Sequence, residues 1–557
     1  MSKWILVGPF VGVVLITVAL IIGYVVVPPI VDQRVTENVQ LVEGTEQYER
    51  WVEVPQPLDF KVYIFNVTNV DEIQRGMIPK LEEIGPFVYS QSRKKHNIRF
   101  SRSLDRVSYY SQMSFTFNKE KSGYLTEDMD ITVLNMHMNT ILQIIDKEGR
   151  QIISNMTRGV ERTIDHIPVV NVVKKMLDRY TPLQSILQTV ENETPFFMPV
   201  INDQLHTIFG PTNSFFVKTT PRKFLFDGVE FCRDPVGVAQ LVCQMVEDRK
   251  SATITKTPDN HALRFSMFNH KNVTHDGLYE VNTGIRRLER LMRIERWNNA
   301  RVLPHWKADK NGAPTTCQFI NGTDGTAVAP FRQANDNLYI FSSDICRSVQ
   351  VFYDEEINYN GIRGFRYSIR NNFLNEMPDC FCIDKIKGAL TENSGCLYPG
   401  ALDLTDCLDA PVVATLPHFL NADPRYNVMV EGLNATPEKH NIFMDVEPYT
   451  GSPLRGGKRM QFNMFLKQIE QIKLSENFKI PRLFPVLWVD EGLELNEEMT
   501  DLIKGDLTNV LTLVAVLQWS FVGIGVALIF GMLLWYYLLT RKVKNSASVD
   551  PIYDVKG

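Results

Sequence analysis

Two apolar runs bracket the chain. From Ile5 to Val27 the sequence carries no charge, and Thr17 and Tyr24 are its polar interruptions. At about 1.5 Å per residue a helix of this length reaches roughly 35 Å, enough to cross a hydrocarbon core of about 30 Å. A cleaved signal peptide has an apolar region of only about 7–15 residues and a small-residue cleavage site. Val25-Val26-Val27-Pro28-Pro29 offers no such site, so the run reads as an uncleaved anchor. The second run spans Val510 to Leu539, with Trp519 towards one end and Trp535, Tyr536 and Tyr537 towards the other, the pattern of interfacial aromatic belts. Lys3 precedes the first run, and Arg541, Lys542 and Lys544 follow the second. Positive residues stay on the cytoplasmic side. The expected division is a cytoplasmic tail at 1–4, a transmembrane helix at 5–27, an extracellular domain at 28–509, a second transmembrane helix at 510–539 and a cytoplasmic tail at 540–557.

Between the runs the period of the pattern changes. Alternation over Asp59–Phe65 marks a strand, and short strands are also expected at Phe87–Tyr89, Val107–Tyr110 and Phe115–Phe117. Pro79 and Gly85-Pro86 are turn signals. From about 139 to 209 the period becomes helical: Val169, Val172, Val173, Met176, Leu177 and Tyr180 share one helix face, and Leu183, Ile186, Leu187 and Val190 resume it after Pro182. An earlier helix carries Ile144, Ile145, Ile152, Ile153 and Met156. Strands return at Leu263–Phe268, Leu278–Val281, Leu338–Phe341 and Gln350–Tyr353. The basic stretch Ile285–Trp297 reads as a helix, with Glu289 four residues before Arg293. Arg93, Lys94, Lys95, His96, Arg99 and Arg102 read as a solvated edge that resists aggregation; a docking patch for anionic lipid or a carrier protein is the alternative.

Composition narrows the class. The chain has 557 residues, 10% aromatic and 44% hydrophobic, and a formal net charge of −5. That suits a folded domain, and a sequence pI near 6.1 argues against nucleic acid as a partner. All eight cysteines lie between the two runs: Cys232, Cys243, Cys317, Cys346, Cys380, Cys382, Cys396 and Cys407. An even count there points to disulfides in an oxidising compartment. Spacing leaves on the order of 100 pairings open. Cys380 and Cys382 stand too close along an extended chain to bond easily, so each is expected in a different bridge. A zinc site at this pair would want Cys-x₂₋₄-Cys spacing or a nearby His, and the next histidine downstream is His418. Six Asn-x-Ser/Thr sequons, at Asn66, Asn155, Asn192, Asn272, Asn321 and Asn434, also fall between the runs and agree with an extracellular placement. There is no Gly-x-Ser-x-Gly elbow, Gly-x₄-Gly-Lys-Ser/Thr loop or His-Glu-x-x-His motif, so no catalytic residue, metal or cofactor is expected. Gly523-Ile-Gly525 lies in an apolar run and reads as helix packing.

A series of phrases carries a resemblance. In order they are Phe65-Asn-Val-Thr-Asn69, Ile84-Gly-Pro-Phe87, Cys317-Gln-Phe-Ile-Asn-Gly-Thr-Asp324, Phe341-Ser-Ser-Asp-Ile-Cys-Arg-Ser348, Cys380-Phe-Cys382, Leu416-Pro-His-Phe-Leu420, Gly432-Leu-Asn434, Asp445-Val-Glu-Pro-Tyr-Thr-Gly451, Lys458-Arg-Met-Gln-Phe-Asn463 and Pro485-Val-Leu-Trp488. Together they resemble the class B scavenger receptor family, which includes fatty-acid translocase and lysosomal integral membrane protein relatives. Within it the chain is most similar to the insect sensory-neuron branch, and to the second of its two types, the extra Cys232 and Cys243 being one reason.

The resemblance implies an α+β fold: an antiparallel β-barrel ectodomain with a helical cap and an internal apolar tunnel, held by two transmembrane helices. It implies the bridges Cys317–Cys380, Cys346–Cys407 and Cys382–Cys396, leaving Cys232–Cys243. It also implies a non-catalytic lipid receptor and transfer conduit. Its ligands would be hydrophobic, such as fatty acids or pheromones, and its partners odorant receptors and lipid or odorant carrier proteins. Lys174 and Lys175 are weak candidates for a lipid carboxylate. The tail cysteines that carry acyl chains in the mammalian translocase are absent here, which puts raft targeting by palmitate in doubt. A general scavenger receptor for lipoproteins, carotenoids or apoptotic cells is the alternative within the family. A two-span ligand-gated channel is the remote one, because the runs offer few polar positions.

Overall fold

The computed structural model describes residues 2–157, 197–211, 214–370, 374, 378–382, 396–505 and 509–547. The chain forms two units, one of residues 1–40, 357–364 and 495–557, the other of residues 41–356 and 365–494.

Apart from residues 357–364, which join two strands, the first unit is helical. Val7–Val39 and Asn509–Lys542 are long and apolar enough to cross a membrane. The N-terminal helix does not stop at Val27. It passes through a π turn at Ile22–Val26 into a helical segment Val27–Val39. Pro28 and Pro29 stand in the first turn of that segment, directly after the π turn. The two long helices meet at glycines. A Cβ on Gly12 would lie 2.6 Å from the Gly525 carbonyl oxygen, and one on Gly525 would lie 2.7 Å from the Gly12 oxygen. Neither position has room for a side chain, and close backbone approach replaces the hydrophobic drive that lipid does not supply.

The second unit is built on strands. In chain order they are β1 (Leu58–Val67), β2 (Leu81–Phe100), β3 (Arg106–Phe117), β4 (Ile131–Leu134), β5 (Phe216–Thr219), β6 (Val229–Phe231), β7 (Ile254–Lys256), β8 (Leu263–Phe265) and β9 (Thr274–Asn282). There follow β10 (Ile294–Trp297), β11 (Leu338–Ser342), β12 (Arg347–Tyr359), β13 (Ile362–Ser368), β14 (Ala401–Asp403), β15 (Val412–Thr415), β16 (Phe443–Val446), β17 (Pro453–Leu466) and β18 (Arg482–Glu494). Thirteen of them make one sheet in the order β10-β9-β3-β2-β1-β18-β17-β16-β13-β12-β11, with β15 paired on β17 and β14 on β15. Its described pairings are antiparallel, and its two edges nearly meet. The strip Gly322–Thr323 joins them: the Ile294 N–H donates to the Gly322 carbonyl, the Thr323 N–H to that of Tyr339, and the Phe341 N–H to that of Thr323. Gly322 has φ +83°, and a Cβ there would sit 1.7 Å from the Tyr339 oxygen, so only glycine permits this closure.

A helical layer covers the Leu466 end of β17. The helix Met136–Thr157 starts after Asn135, whose side chain caps it by accepting from the Met138 N–H at 3.0 Å. Asn139 and Gln143, one turn apart, both donate to the Phe465 carbonyl at 3.1 and 2.8 Å. The helices Phe197–Phe209 and Val238–Asp248 belong to the same layer. The helix expected over Val169–Val190, with Lys174, Lys175 and Asn192, lies outside the described residues.

Two expectations need correction. Ile285–Trp297 is not a helix: Leu288–Arg290 is a single 3₁₀ turn and Ile294–Trp297 is an edge strand on β9. Met292 takes φ +60°, which a helix cannot accommodate, and pairing to β9 outweighs the local charge pattern. The basic stretch of β2 is not uniformly solvated. Past Gln91 it does pair with β3 on one side. Its side chains alternate, however, and Gln91, Arg93 and Lys95 turn inward while Lys94 and Arg99 stay exposed.

Candidate functional site

Among the described residues, two mainly apolar cavities lie against the sheet of the barrel unit. The larger, about 310 Å³, lies between the helical layer and the sheet and is lined by Met136, Ile141 and Ile144 of the first helix, Met245 and Val246 of another, and Phe462 of β17. The smaller, about 250 Å³, is lined by Val349, Val351, Ile369, Met444, Met460 and Leu493 among others. No residue lines both. The larger cavity reaches the lower end of the usual range for small-molecule pockets, about 300–1,000 Å³, and its walls are mainly apolar. Among the described residues the interior is therefore not filled by its own side chains.

Charged side chains border both cavities. Lys271 and Asp344 border the larger cavity, and Lys458, Glu491 and Arg93 border the smaller. These five side chains form one chain of ion pairs: Asp344 accepts from both Lys271 and Lys458, Lys458 lies 3.5 Å from Glu491, and Arg93 donates to Glu491. Gln91 accepts from Arg93 at 3.2 Å. Burial alone would raise the Asp344 carboxyl, but Lys271 and Lys458 outweigh it and hold it well below the usual carboxylate range. Glu491 is likewise raised by burial and brought down to about 2 by Arg93 and Lys458. Burial lowers the Lys458 ammonium, yet Asp344 and Glu491 leave it above its ordinary value. The Lys458 side chain keeps 39% of its surface accessible, so solvent screens part of its charge.

The strands explain the placement. Lys458, Met460 and Phe462 are alternate residues of β17 and share a face; the first two line the smaller cavity and the third the larger. Arg93 lies opposite Met113 on β3, which lines the larger cavity. Further along β2, burial lowers Lys95 to about 8; its ammonium donates to the Trp51 carbonyl at 2.6 Å and lies 4.9 Å from the Trp51 ring and 5.5 Å from the Tyr109 ring. His137, on the larger cavity, is packed against Phe231 at 4.7 Å, and burial drives it down to about 3, so it stays neutral.

A second buried cluster sits in the wall. His418 contacts Glu83 at 2.5 Å, and Trp488 donates to the same carboxylate oxygen at 2.7 Å. His418 and His440 stack at 4.4 Å. Their Nδ1 atoms accept from the N–H groups of Asn434 and Thr436 at 3.0 and 2.9 Å. Burial, reinforced by His418, lowers His440 to about 4.

The covalent frame is complete among the eight cysteines: Cys232–Cys243, Cys317–Cys380, Cys346–Cys407 and Cys382–Cys396 are bonded, with Cα atoms 5.4–5.9 Å apart. Of the sequon asparagines, Asn434 is exposed. Asn66 and Asn272 are half-buried, and their side-chain oxygens accept from the Thr132 and Phe115 N–H groups. Asn321 is half-buried beside the closing strip. Asn155 lies on the helix Met136–Thr157. The ion chain escaped the sequence reading, because its members are scattered from Arg93 to Glu491. The available signal was alternation, which puts Arg93 on the same face as Gln91 and Lys95.

Comparison with known proteins adds lineage. The family model described as the CD36 family matches residues 10–536. A sensory neuron membrane protein 2 of Anopheles gambiae is 46% identical over 546 residues, covering 97% of this chain and 94% of its own. One of Aedes aegypti is 47% identical over 519 residues, covering 92% and 95%. One of Drosophila melanogaster is 42% identical over 552 residues, covering 97% and 98%.

Proposed function

Because the chain belongs to the CD36 family, we propose that it is a two-pass plasma-membrane receptor that shelters hydrophobic ligands and hands them on. Both termini would be cytoplasmic and the barrel unit extracellular. The ligands would be fatty-acid-like, pheromones or odorants, and the tissue chemosensory, as the names of the relatives suggest. The recipient would be the bilayer or an odorant receptor, and a lipid or odorant carrier protein could supply the ligand. The observation that carries the reading is the larger cavity, roofed by Ile141, Ile144, Met245 and Val246 and floored by Phe462.

The energetics suit a carrier. Each methylene moved from water to an apolar lining gains about 0.8 kcal/mol, so a 16-carbon tail gains on the order of 12 kcal/mol. Diffusion of the free tail through water is opposed by that amount. A bilayer offers nearly the same gain as an apolar cavity, so the protein lowers the barrier between carrier and membrane without trapping the ligand. The reading needs no catalytic step, metal or cofactor.

The test is transfer. Vesicles carrying the full-length protein should take up fluorescent hexadecanoate from an aqueous carrier faster than protein-free vesicles. Equal rates would overturn the proposal. Staining antennal sense organs against gut and blood cells separates the sensory role from general lipid scavenging.

A further inference from the structure

We infer that the ion chain between the two cavities is a head-group site, which holds the carboxylate of a single-chain amphiphile at Lys271 and Lys458 with the tail in the larger cavity. This rests on the carrier reading above and adds to it the residues that hold the head group.

The placement comes from the ion pairs themselves. Lys271 and Asp344 border the larger cavity, Lys458 and Glu491 the smaller, and the contact between Asp344 and Lys458 is the joint. A tail seated against Ile141 and Met245 has its polar end at this joint or at the opposite side of the cavity. Lys271 spends one of its three donors on Asp344 and has no second acceptor among the described residues. Lys458 divides its donors between Asp344 and Glu491.

The neighbouring carboxylates have hydroxyl partners of their own. Asp276, on the larger cavity, is occupied by the hydroxyls of Ser343 at 2.5 Å and Tyr279 at 2.6 Å. Asp324, on the smaller cavity, is occupied by the Thr326 hydroxyl at 2.6 Å. His270 borders the larger cavity, and burial lowers it to about 4, so it adds no charge near neutrality.

The chemistry favours exchange. A carboxylate head takes free donors of Lys271, or replaces Asp344 or Glu491 on a lysine, and every ammonium keeps an anionic acceptor. A hydroxyl head offers a weaker, neutral acceptor. A wholly apolar end parts an ion pair and replaces nothing, leaving charges unpaired in a low-dielectric interior. Selection between equal tails therefore falls on the head.

Binding of hexadecanoate and of hexadecanol to the full-length protein in nanodiscs tests this, together with photolabelling by hexadecanoate bearing a diazirine at its second or its last carbon. The expected result is a preference of about tenfold for the carboxylate. The head-proximal diazirine should label peptides containing Lys271, Asp344 or Lys458, and the terminal one the helices Met136–Thr157 and Val238–Asp248. Lys271→Met leaves Asp344 paired with Lys458; it should weaken hexadecanoate about tenfold and leave hexadecanol unchanged. Equal affinity for the two lipids, head-proximal labelling elsewhere, or equal weakening of both by Lys271→Met overturns the head-group site and leaves the carrier reading standing. Binding of neither lipid overturns both.

Discussion

Asp344 joins the two lysines of the ion chain, and replacing it gives a measurable coupling. It holds two ammonium groups, Lys271 and Lys458, and only 24% of its side chain is accessible. Removing one partner of a buried pair costs about 3–5 kcal/mol, mostly because the other charge is left unpaired. Asp344→Asn keeps one neutral acceptor, so about 3 kcal/mol is expected. Lys458→Met leaves Asp344 with Lys271 and Glu491 with Arg93; about 1 kcal/mol is expected. In the double variant one of the stranded ammonium groups is gone. Its cost should fall short of the sum of the singles by about 1–2 kcal/mol. Urea unfolding of the full-length protein in detergent, followed by tryptophan fluorescence with disulfides intact, gives the three midpoints, comparable if the slopes agree. Additivity within about 0.5 kcal/mol, or a cost of Asp344→Asn below about 1 kcal/mol, would refute the ion chain as an energetic unit.

Three further outcomes follow from the same geometry. His440 is lowered in the folded chain from 6.5 to about 4, so the unfolded state binds its proton first, and stability should decline as pH falls from 6.5 towards 4 and level off below. His440→Gln should remove a share of that decline of about 2 kcal/mol, read from urea midpoints at a series of pH values; an unchanged slope contradicts the burial of a neutral imidazole. Among the sequons, Asn434 should carry glycan at higher occupancy than Asn66, whose side-chain oxygen already accepts from the Thr132 N–H at 2.8 Å; site-resolved glycopeptide mass spectrometry decides it, and full occupancy of Asn66 with none at Asn434 goes against it. Replacing Cys317 and Cys380 together by Ala opens a loop of 63 residues and should cost about 4 kcal/mol in the loop-entropy picture, measured as a lower unfolding midpoint.

What could be read from the chain beforehand depended on how local the signal was. The two long helices were legible because each is a continuous apolar run, although the extension through Pro28 to Val39 was not. Pro28 and Pro29 look like a stop until they are placed in the first turn of a further segment. β1 was legible from its alternation, which burial reproduces along Leu58–Val67. Ile285–Trp297 misled because ion pairs four apart suit a helix, while its strand identity depends on partners in β9. The candidate site was the least legible part. Lys271 and Asp344 lie on two 3₁₀ turns and Lys458 on a strand, with no fixed spacing, and they meet only when the sheet curls. The phrases containing Asp344 and Lys458 were noticed as a family resemblance, not as partners. Disulfide pairing was closed to spacing in the same way, since Cys346 and Cys407 are 61 residues apart.

The central claim is that ligand tails occupy the larger cavity. Filling it from two sides with Ile141→Trp and Met245→Trp, in protein shown to be glycosylated and at the cell surface, and then measuring transfer of fluorescent hexadecanoate into vesicles, tests this most directly. The account predicts a loss of tenfold or more, about 1.4 kcal/mol in binding. Transfer at the unaltered rate through a filled cavity would contradict it.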